Sequence, residues 1–112
     1  MAATIKAVNV ENTMKSLSAD KASVLIDVRE DAEIKEIAAA ISKPFPMSKI
    51  NPATFEKDAG VTKAQPIYLI CKSGGRSMQV ATALAGVGFI NLNNVEGGTS
   101  AWVAAGLPVK KS

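Results

Sequence analysis

The sequence contains no histidine and only one cysteine, Cys71. Without a histidine no imidazole can activate the thiol, which excludes a cysteine protease of the usual kind. A zinc site would also lack its usual ligands. A lone cysteine cannot form a disulfide within the chain, so the fold neither needs an oxidising compartment nor gains stability from one. We expect no metal and no cofactor.

Charge of either sign is also scarce. The chain has 13 Lys and Arg against 10 Asp and Glu, a net charge of +3, and 47% hydrophobic residues. This composition is typical of a compact globular protein rather than a disordered one. The basic residues are scattered, and they form no aromatic-studded stripe of the kind that binds nucleic acids. We therefore expect no nucleic-acid partner.

Long apolar runs are missing as well. The stretch over residues 77–95 carries no charge, but asparagine, glutamine, threonine and glycine interrupt it, so a membrane span of ~20 apolar residues is excluded. The N-terminus lacks the charged start and apolar core of a secretory signal, so we expect a cytoplasmic protein with no membrane partner. A chain of 112 residues has room for one domain, with its core over about residues 5–108, and we expect a monomer.

Strand and helix patterns alternate along the chain. Apolar, β-branched runs predict strands, and apolar residues at helical spacing predict helices. The predicted strands cover residues 4–8, 24–29, 67–70 and 89–92. The predicted helices cover residues 10–17, 31–41, 51–57 and 77–84, and a last helix follows a cap at Thr99 or Ser100. This order is typical of an α/β fold in which helices cover both faces of a small parallel sheet, giving three layers.

Several polar residues at element ends have predicted structural roles. We expect Asn9 to cap the first helix and Ser77 to cap the helix after the cysteine. Asp27 and Arg29, at the end of the second strand, are predicted to pair and brace neighbouring loops. Trp102 is predicted to be a core residue. The residues predicted to pack inward from the helix after the cysteine are Met78, Val80, Ala81 and Leu84.

Cys71 follows a buried strand and opens through Gly74 and Gly75 into a helix. Such a turn places sulfur close to unpaired backbone N–H groups and to the positive end of the helix. These groups favour the thiolate over the thiol. The two glycines let the backbone curl so that the donors converge. The sequence therefore predicts a reactive thiol at Cys71.

Three separated patterns resemble the rhodanese family of sulfurtransferases. They are Leu25-Ile26-Asp27-Val28-Arg29-Glu30, the loop from Cys71 to Arg76, and Val95-Glu96-Gly97-Gly98 followed by Ala101-Trp102 and Gly106-Leu107-Pro108. One segment departs from the family, because Ile37 to Pro44 replaces the usual glycine–histidine–isoleucine stretch. We expect this difference to alter the rim of the pocket or a partner surface while the thiol chemistry is retained.

The resemblance implies a function for the loop. Cys71 would take a sulfane sulfur from a small anionic donor such as thiosulfate, hold it as a persulfide, and pass it to an external thiol, to cyanide or to an acceptor protein. The implied donor-binding residues are Lys72, Ser73, Gly74, Gly75, Arg76 and Ser77. Lys72 and Arg76 would add positive charge at the mouth, and Arg76 is also suited to bracing the loop.

Two alternatives remain. A cysteine-based phosphatase or arsenate reductase also uses a cysteine, a backbone cradle and an arginine, but it places five residues between them where this chain has four. The other alternative is a non-catalytic rhodanese-like module that binds a partner or senses sulfur or redox state. A sensor based on a disulfide would need a resolving cysteine, which the chain lacks.

Overall fold

Five parallel strands form the central sheet of the computed structural model, which describes residues 4–111. These five are β1 (Ile5–Val8), β2 (Val24–Asp27), β4 (Lys43–Pro44), β5 (Ile67–Ile70) and β6 (Leu92–Val95), and two further short strands are β3 (Ala38–Ala39) and β7 (Val109–Lys110). The helices are α1 (Val10–Ala19), α2 (Asp31–Glu36), α3 (Phe55–Ala59), α4 (Gly75–Gly86) and α5 (Gly98–Ala104), with 3-10 turns at Met47–Lys49 and Pro52–Thr54. Within this part of the chain, no helix is both long and apolar enough to cross a membrane.

The strand order is β1-β6-β5-β2-β4, and β3 pairs with β7 in a separate antiparallel ribbon. Asp27 lies in register with Ile70, and Leu69 with Asn94. The carboxyl ends of β2, β5 and β6 therefore lie side by side. In parallel sheets this edge is where ligands bind, and the turn after the central strand β5 begins with Cys71.

Helices cover both faces of the sheet, as predicted. Alternate strand residues point to opposite faces, and each face has its own apolar cluster. On one face α3 and α4 supply Phe55, Val80, Ala81 and Leu84, and on the other α1 and α5 supply Val10, Leu17 and Trp102. Cys71 belongs to the first cluster, so its side chain is directed toward the face that α4 covers.

Several local predictions are confirmed. Asn9 caps α1, since its side-chain oxygen accepts a hydrogen bond from the Asn12 amide at 2.8 Å. Trp102 is fully buried, and its indole N–H donates to the Pro108 carbonyl at 2.8 Å. Three residues of α4 predicted to pack inward do so, but Met78 is 38% exposed, so its prediction was wrong.

The predicted helix over residues 31–41 was wrong in its second half. The helix α2 ends at Glu36, and Ala38 and Ala39 instead form β3, which pairs with Val109 and Lys110 of β7. Both alanines are fully buried. Pairing and burial override the helical preference of alanine, which is worth less than ~1 kcal/mol per residue.

The last strand of the sheet was predicted too early. It covers residues 92–95 instead of 89–92, and Phe89 packs its ring against Phe55 at a centroid distance of 5.9 Å. Asn93 and Asn94 have poor strand propensity, yet they lie in this buried strand because their side-chain amides are hydrogen-bonded.

Two helix starts were also predicted too late. The helix α4 begins at Gly75, and α5 begins at Gly98 after Gly97, so neither Thr99 nor Ser100 is the cap. The residue before each helix is a glycine at positive φ, Gly74 before α4 and Gly97 before α5. Neither helix start has a side-chain cap hydrogen bond.

Candidate active site

The first turn of α5 holds the backbone that carries the cysteine. The Cys71 carbonyl accepts hydrogen bonds from the Thr99 amide at 2.8 Å and the Thr99 hydroxyl at 3.1 Å, and the Lys72 carbonyl accepts from the Ser100 amide at 3.2 Å. A Cβ on Gly98 would lie 2.3 Å from the Cys71 oxygen. This close approach explains why glycine occupies position 98, and it fixes the loop against a rigid element.

Neutral hydrogen-bond donors surround the sulfur. Cys71 is 1% exposed, and its Sγ accepts from the Gly74 amide at 3.1 Å and lies 3.3 Å from the Ser77 hydroxyl. Burial raises the pKa of the thiol, but the Ser77 hydroxyl and the amides of Ser77, Gly74 and Ser73 together lower the pKa below its usual value. These donors therefore favour the thiolate more than an ordinary cysteine environment does, which is the direction that the glycine loop predicts.

The two loop glycines differ in their conformations. Gly74 has φ of +114°, a backbone conformation that residues with a side chain resist. Gly75 is the first residue of α4, has no positive φ, and would meet no atom within 4 Å if it carried a Cβ. The predicted need for glycine is thus confirmed at position 74 and was wrong at position 75.

Ser77 has a different role from the predicted cap. It lies inside α4 and is fully buried, and its hydroxyl lies within hydrogen-bond distance of the Asn94 side-chain oxygen and, at 3.2 Å, of the Gly74 carbonyl. The Asn94 amide nitrogen donates to the same carbonyl at 3.2 Å. Sequence reasoning missed Asn94. The available signal was a pair of asparagines, Asn93 and Asn94, in an otherwise apolar stretch.

Arg76 forms an ion pair with a carboxylate. Its two terminal nitrogens donate to the two carboxylate oxygens of Glu33 in α2, at 2.7 and 2.8 Å. The Arg76 guanidinium holds the pKa of Glu33 down at about 2, and the carboxylate in turn raises the pKa of Arg76. The structure thus shows Arg76 bracing the loop against α2. Sequence reasoning missed Glu33 because 43 residues separate the partners.

The predicted pair at the end of β2 is formed. The Arg29 guanidinium lies 2.7 Å from the Asp27 carboxylate, and the two side chains are 5% and 0% exposed. Arg29 also donates to the carbonyls of Ile37 at 2.8 Å and Glu33 at 3.4 Å. The pair therefore fastens the end of α2 beside the cysteine loop, which is the bracing role that was predicted.

Lys72 is exposed and lines a depression between α2 and α5 with a cavity volume of about 370 Å³. The lining also includes Glu36, Ile37 and Val103 but not Cys71. Ile37 begins the segment that departs from the family pattern. This segment therefore shapes a depression next to the loop, and it does not contribute to the donors around the sulfur.

Comparison with known proteins agrees with this architecture. The family described as the rhodanese-like domain matches residues 10–105. A putative sulfurtransferase of Bacillus subtilis, YtwF, is 37% identical over 98 residues, which are 88% of this chain and 90% of the relative. A putative mitochondrial thiosulfate sulfurtransferase of Schizosaccharomyces pombe is 34% identical over 102 residues, 83% of this chain and 72% of the relative.

A solved structure is similar along nearly its whole length. The crystal structure of a rhodanese-related protein from Thermoplasma volcanium has a TM-score of 0.76 and 27% identity, covering 96% of this chain and 99% of that one. Some relatives are longer, and the chain spans about half, 54%, of a Synechocystis protein to which it is 32% identical. Because the family match extends over most of the chain and sulfurtransferases are among the named relatives, the chain belongs to the rhodanese-like domain family.

Proposed function

We propose that the protein is a sulfurtransferase that carries a sulfane sulfur as a persulfide on Cys71. The observation that carries this proposal is the set of neutral donors at the sulfur, led by the Gly74 amide at 3.1 Å. These donors lower the pKa of the Cys71 thiol although the side chain is buried. The sulfurtransferases among the relatives support the general class.

The first half of the reaction loads the sulfur. With thiosulfate as the donor, the Cys71 thiolate attacks the outer sulfur and forms a new S–S bond. The S–S bond of thiosulfate breaks, and sulfite leaves with its electron pair. The charge moves from Sγ to the terminal sulfur of the persulfide. The N–H donors that stabilise the thiolate would stabilise the negative charge of the persulfide as well.

The second half of the reaction unloads the sulfur. Cyanide, or the thiolate of a small molecule or protein, attacks the terminal persulfide sulfur and forms thiocyanate or a new persulfide. The Cys71 thiolate is the leaving group, so the enzyme returns to its starting state without a net proton or redox change. Since the chain has one cysteine, the acceptor must be another molecule.

Charge near the loop bears on the choice of donor. Lys72 carries an exposed ammonium directly after the nucleophile, and it would attract an anionic donor such as thiosulfate. Arg76 would contribute in the same way with the N–H groups that Glu33 does not occupy. The donor-binding roles of Lys72 to Ser77 and the choice of thiosulfate are parts of this proposal.

Intact-mass measurement after thiosulfate treatment tests the proposal, together with thiocyanate formation on addition of cyanide. Wild-type protein is expected to gain one sulfur atom and to turn over, and Cys71→Ala is expected to do neither while keeping its circular dichroism spectrum. A folded, reduced wild-type sample that shows neither adduct nor turnover with thiosulfate, polysulfide or an alkyl persulfide would contradict the proposal. That result would favour the binding or sensing module.

A further inference from the structure

We infer that Asn94 is a positioning residue that competes with the Cys71 thiolate for the proton of the Ser77 hydroxyl. This inference deepens the proposed function, because it rests on Cys71 being the nucleophile. Asn94 lies on β6, beside the strand β5 that ends just before Cys71, and it is 7% exposed. It reaches the sulfur only through Ser77 and Gly74.

The orientation of the Asn94 amide follows from its partners. The Gly74 carbonyl can only accept, so the group that faces it at 3.2 Å must be the Asn94 nitrogen. The amide oxygen then faces the Ser77 hydroxyl, which must donate to it. The reversed amide would place its oxygen against the Gly74 carbonyl. The network thus gives Asn94 a fixed acceptor directed at Ser77.

The Ser77 hydroxyl has one proton and more than one acceptor. When Cys71 is a thiol, its S–H can donate to the Ser77 oxygen across 3.3 Å while the Ser77 hydroxyl donates to Asn94, so both protons are used. When Cys71 is a thiolate, the hydroxyl can donate to the sulfur or to Asn94 but not to both. Stabilising the charged sulfur therefore leaves the buried Asn94 oxygen without this donor.

This competition makes the thiol less acidic than the rest of the site would allow. A hydrogen bond to a charged acceptor is stronger than one between neutral groups. The Ser77 hydroxyl therefore turns toward the sulfur once the thiol has lost its proton. The loss of the hydrogen bond to Asn94 offsets part of that gain. Asn94 therefore keeps the thiolate more basic, and a more basic thiolate is the better nucleophile.

The test is the pH dependence of Cys71 alkylation by iodoacetamide in wild type, Asn94→Leu, Ser77→Ala and the double variant. Asn94→Leu is expected to lower the midpoint by about half a pH unit to one unit, which is the effect of one neutral hydrogen bond. In the Ser77→Ala background the same substitution should cause no further shift. A raised or unchanged midpoint in Asn94→Leu, or a shift that persists without the hydroxyl, would overturn the inference.

Asn93 provides a matched control from the same strand. It is 4% exposed, and its amide nitrogen contacts the Ile67 carbonyl at 3.2 Å and the Asn91 side chain. Asn93→Leu removes a buried amide without touching Ser77, so the alkylation midpoint should not move. An equal shift in Asn93→Leu would assign the effect to general loosening of the strand and would overturn the inference.

Asn94→Asp gives an independent reading with a side chain of the same shape. A carboxylate at this position keeps an acceptor toward Ser77 and adds negative charge near the sulfur, so the midpoint should rise. An unchanged or lowered midpoint would show that the side chain at position 94 does not act on the thiol, and it would overturn the inference. Alkylation needs no sulfur donor or acceptor, so these results are independent of the outcome of the thiosulfate experiment.

Discussion

Two polar clusters flank the cysteine loop, and they differ in charge. The sulfur cluster consists of Cys71, Gly74, Ser77 and Asn94. The brace cluster consists of Asp27, Arg29, Glu33 and Arg76. The sulfur cluster surrounds Sγ with neutral donors and acceptors, whereas the brace cluster contains two ion pairs, one buried and one about a third exposed.

The difference reflects what each cluster has to do. The charge on the sulfur changes during the proposed reaction, and neutral donors can adapt to that change by rotating a hydroxyl. The charges of the brace cluster stay constant, and they tie α2 to the loop with directional, charge-assisted bonds. Substitutions in the sulfur cluster should therefore mainly change the alkylation midpoint of Cys71. Substitutions in the brace cluster should mainly change the free energy of unfolding.

The largest effect is expected from Gly98→Ala, because it displaces the backbone of Cys71 and Lys72 at the start of the cysteine loop. The new Cβ would meet the Cys71 carbonyl oxygen at 2.3 Å, at a residue with φ of +56°. Strain and overpacking together should cost about 2–5 kcal/mol in urea unfolding, and sulfur transfer should be lost. Gly86→Ala is the control, since it meets no atom within 4 Å. Equal stability in the two variants would contradict the prediction.

The next largest effect is expected in the brace cluster. Asp27→Asn leaves the buried Arg29 guanidinium without its counter-ion, which should cost about 3 kcal/mol of unfolding free energy. The alkylation midpoint of the folded protein should hardly change. Asp31→Asn is the matched control, because the Asp31 side chain is 62% exposed and its ion pair is 3.8 Å long. If Asp27→Asn shifted the midpoint as much as Ser77→Ala, the separation of the two clusters would fail.

Ser77→Ala is expected to change stability less than Asp27→Asn does and to change the alkylation midpoint of Cys71 more. The variant loses a donor that lowers the pKa of Cys71, so the alkylation midpoint should rise by up to about one pH unit. Unfolding should become easier by about 1 kcal/mol, because Asn94 loses a partner. Ser100→Ala, an exposed serine near the loop, should leave the midpoint unchanged. An unchanged midpoint in Ser77→Ala would remove the hydroxyl from the sulfur cluster.

The smallest effect is expected from Glu33→Gln. Folding lowers the pKa of Glu33 from 4.5 to about 2. The wild type should therefore be more stable to unfolding than Glu33→Gln above pH 4.5, and this stability advantage should disappear as the pH falls toward about 2. Because the pair is about a third exposed, the advantage at neutral pH should be only about 0.5 kcal/mol. Urea unfolding at several pH values measures it. A stability advantage of the wild type that grows as the pH falls would contradict a stabilising role for the Glu33–Arg76 ion pair.

The comparison also explains which parts of the site the sequence predicts. The sequence predicts Cys71, its loop and the Asp27–Arg29 pair, because they depend on short stretches of chain with strong local patterns. Glu33 and Asn94 are not visible, because their partners lie 43 and 17 residues away. Nothing in the local pattern of an acidic helix or a polar strand indicates which distant group it will meet.

The same reasoning applies to the fold. Apolar periodicity predicts the alternation of strands and helices and the two covered faces, since each element must bury one side. The end of α2 was predicted wrongly because Ala38 and Ala39 pair with β7, about 70 residues further along the chain. The start of β6 was predicted wrongly because its asparagines are suited to a strand only once their amides have partners.

The sequence by itself determined the α/β architecture, the position of the cysteine loop and the presence of a backbone cradle, because hydrophobic patterning and glycine conformation act locally. Only the tertiary structure decided what surrounds the thiol. It brought Ser77 to the sulfur, Asn94 to Ser77 and Glu33 to Arg76. The physical reason is that hydrogen bonds and ion pairs between distant elements form only after packing has set the distances between them.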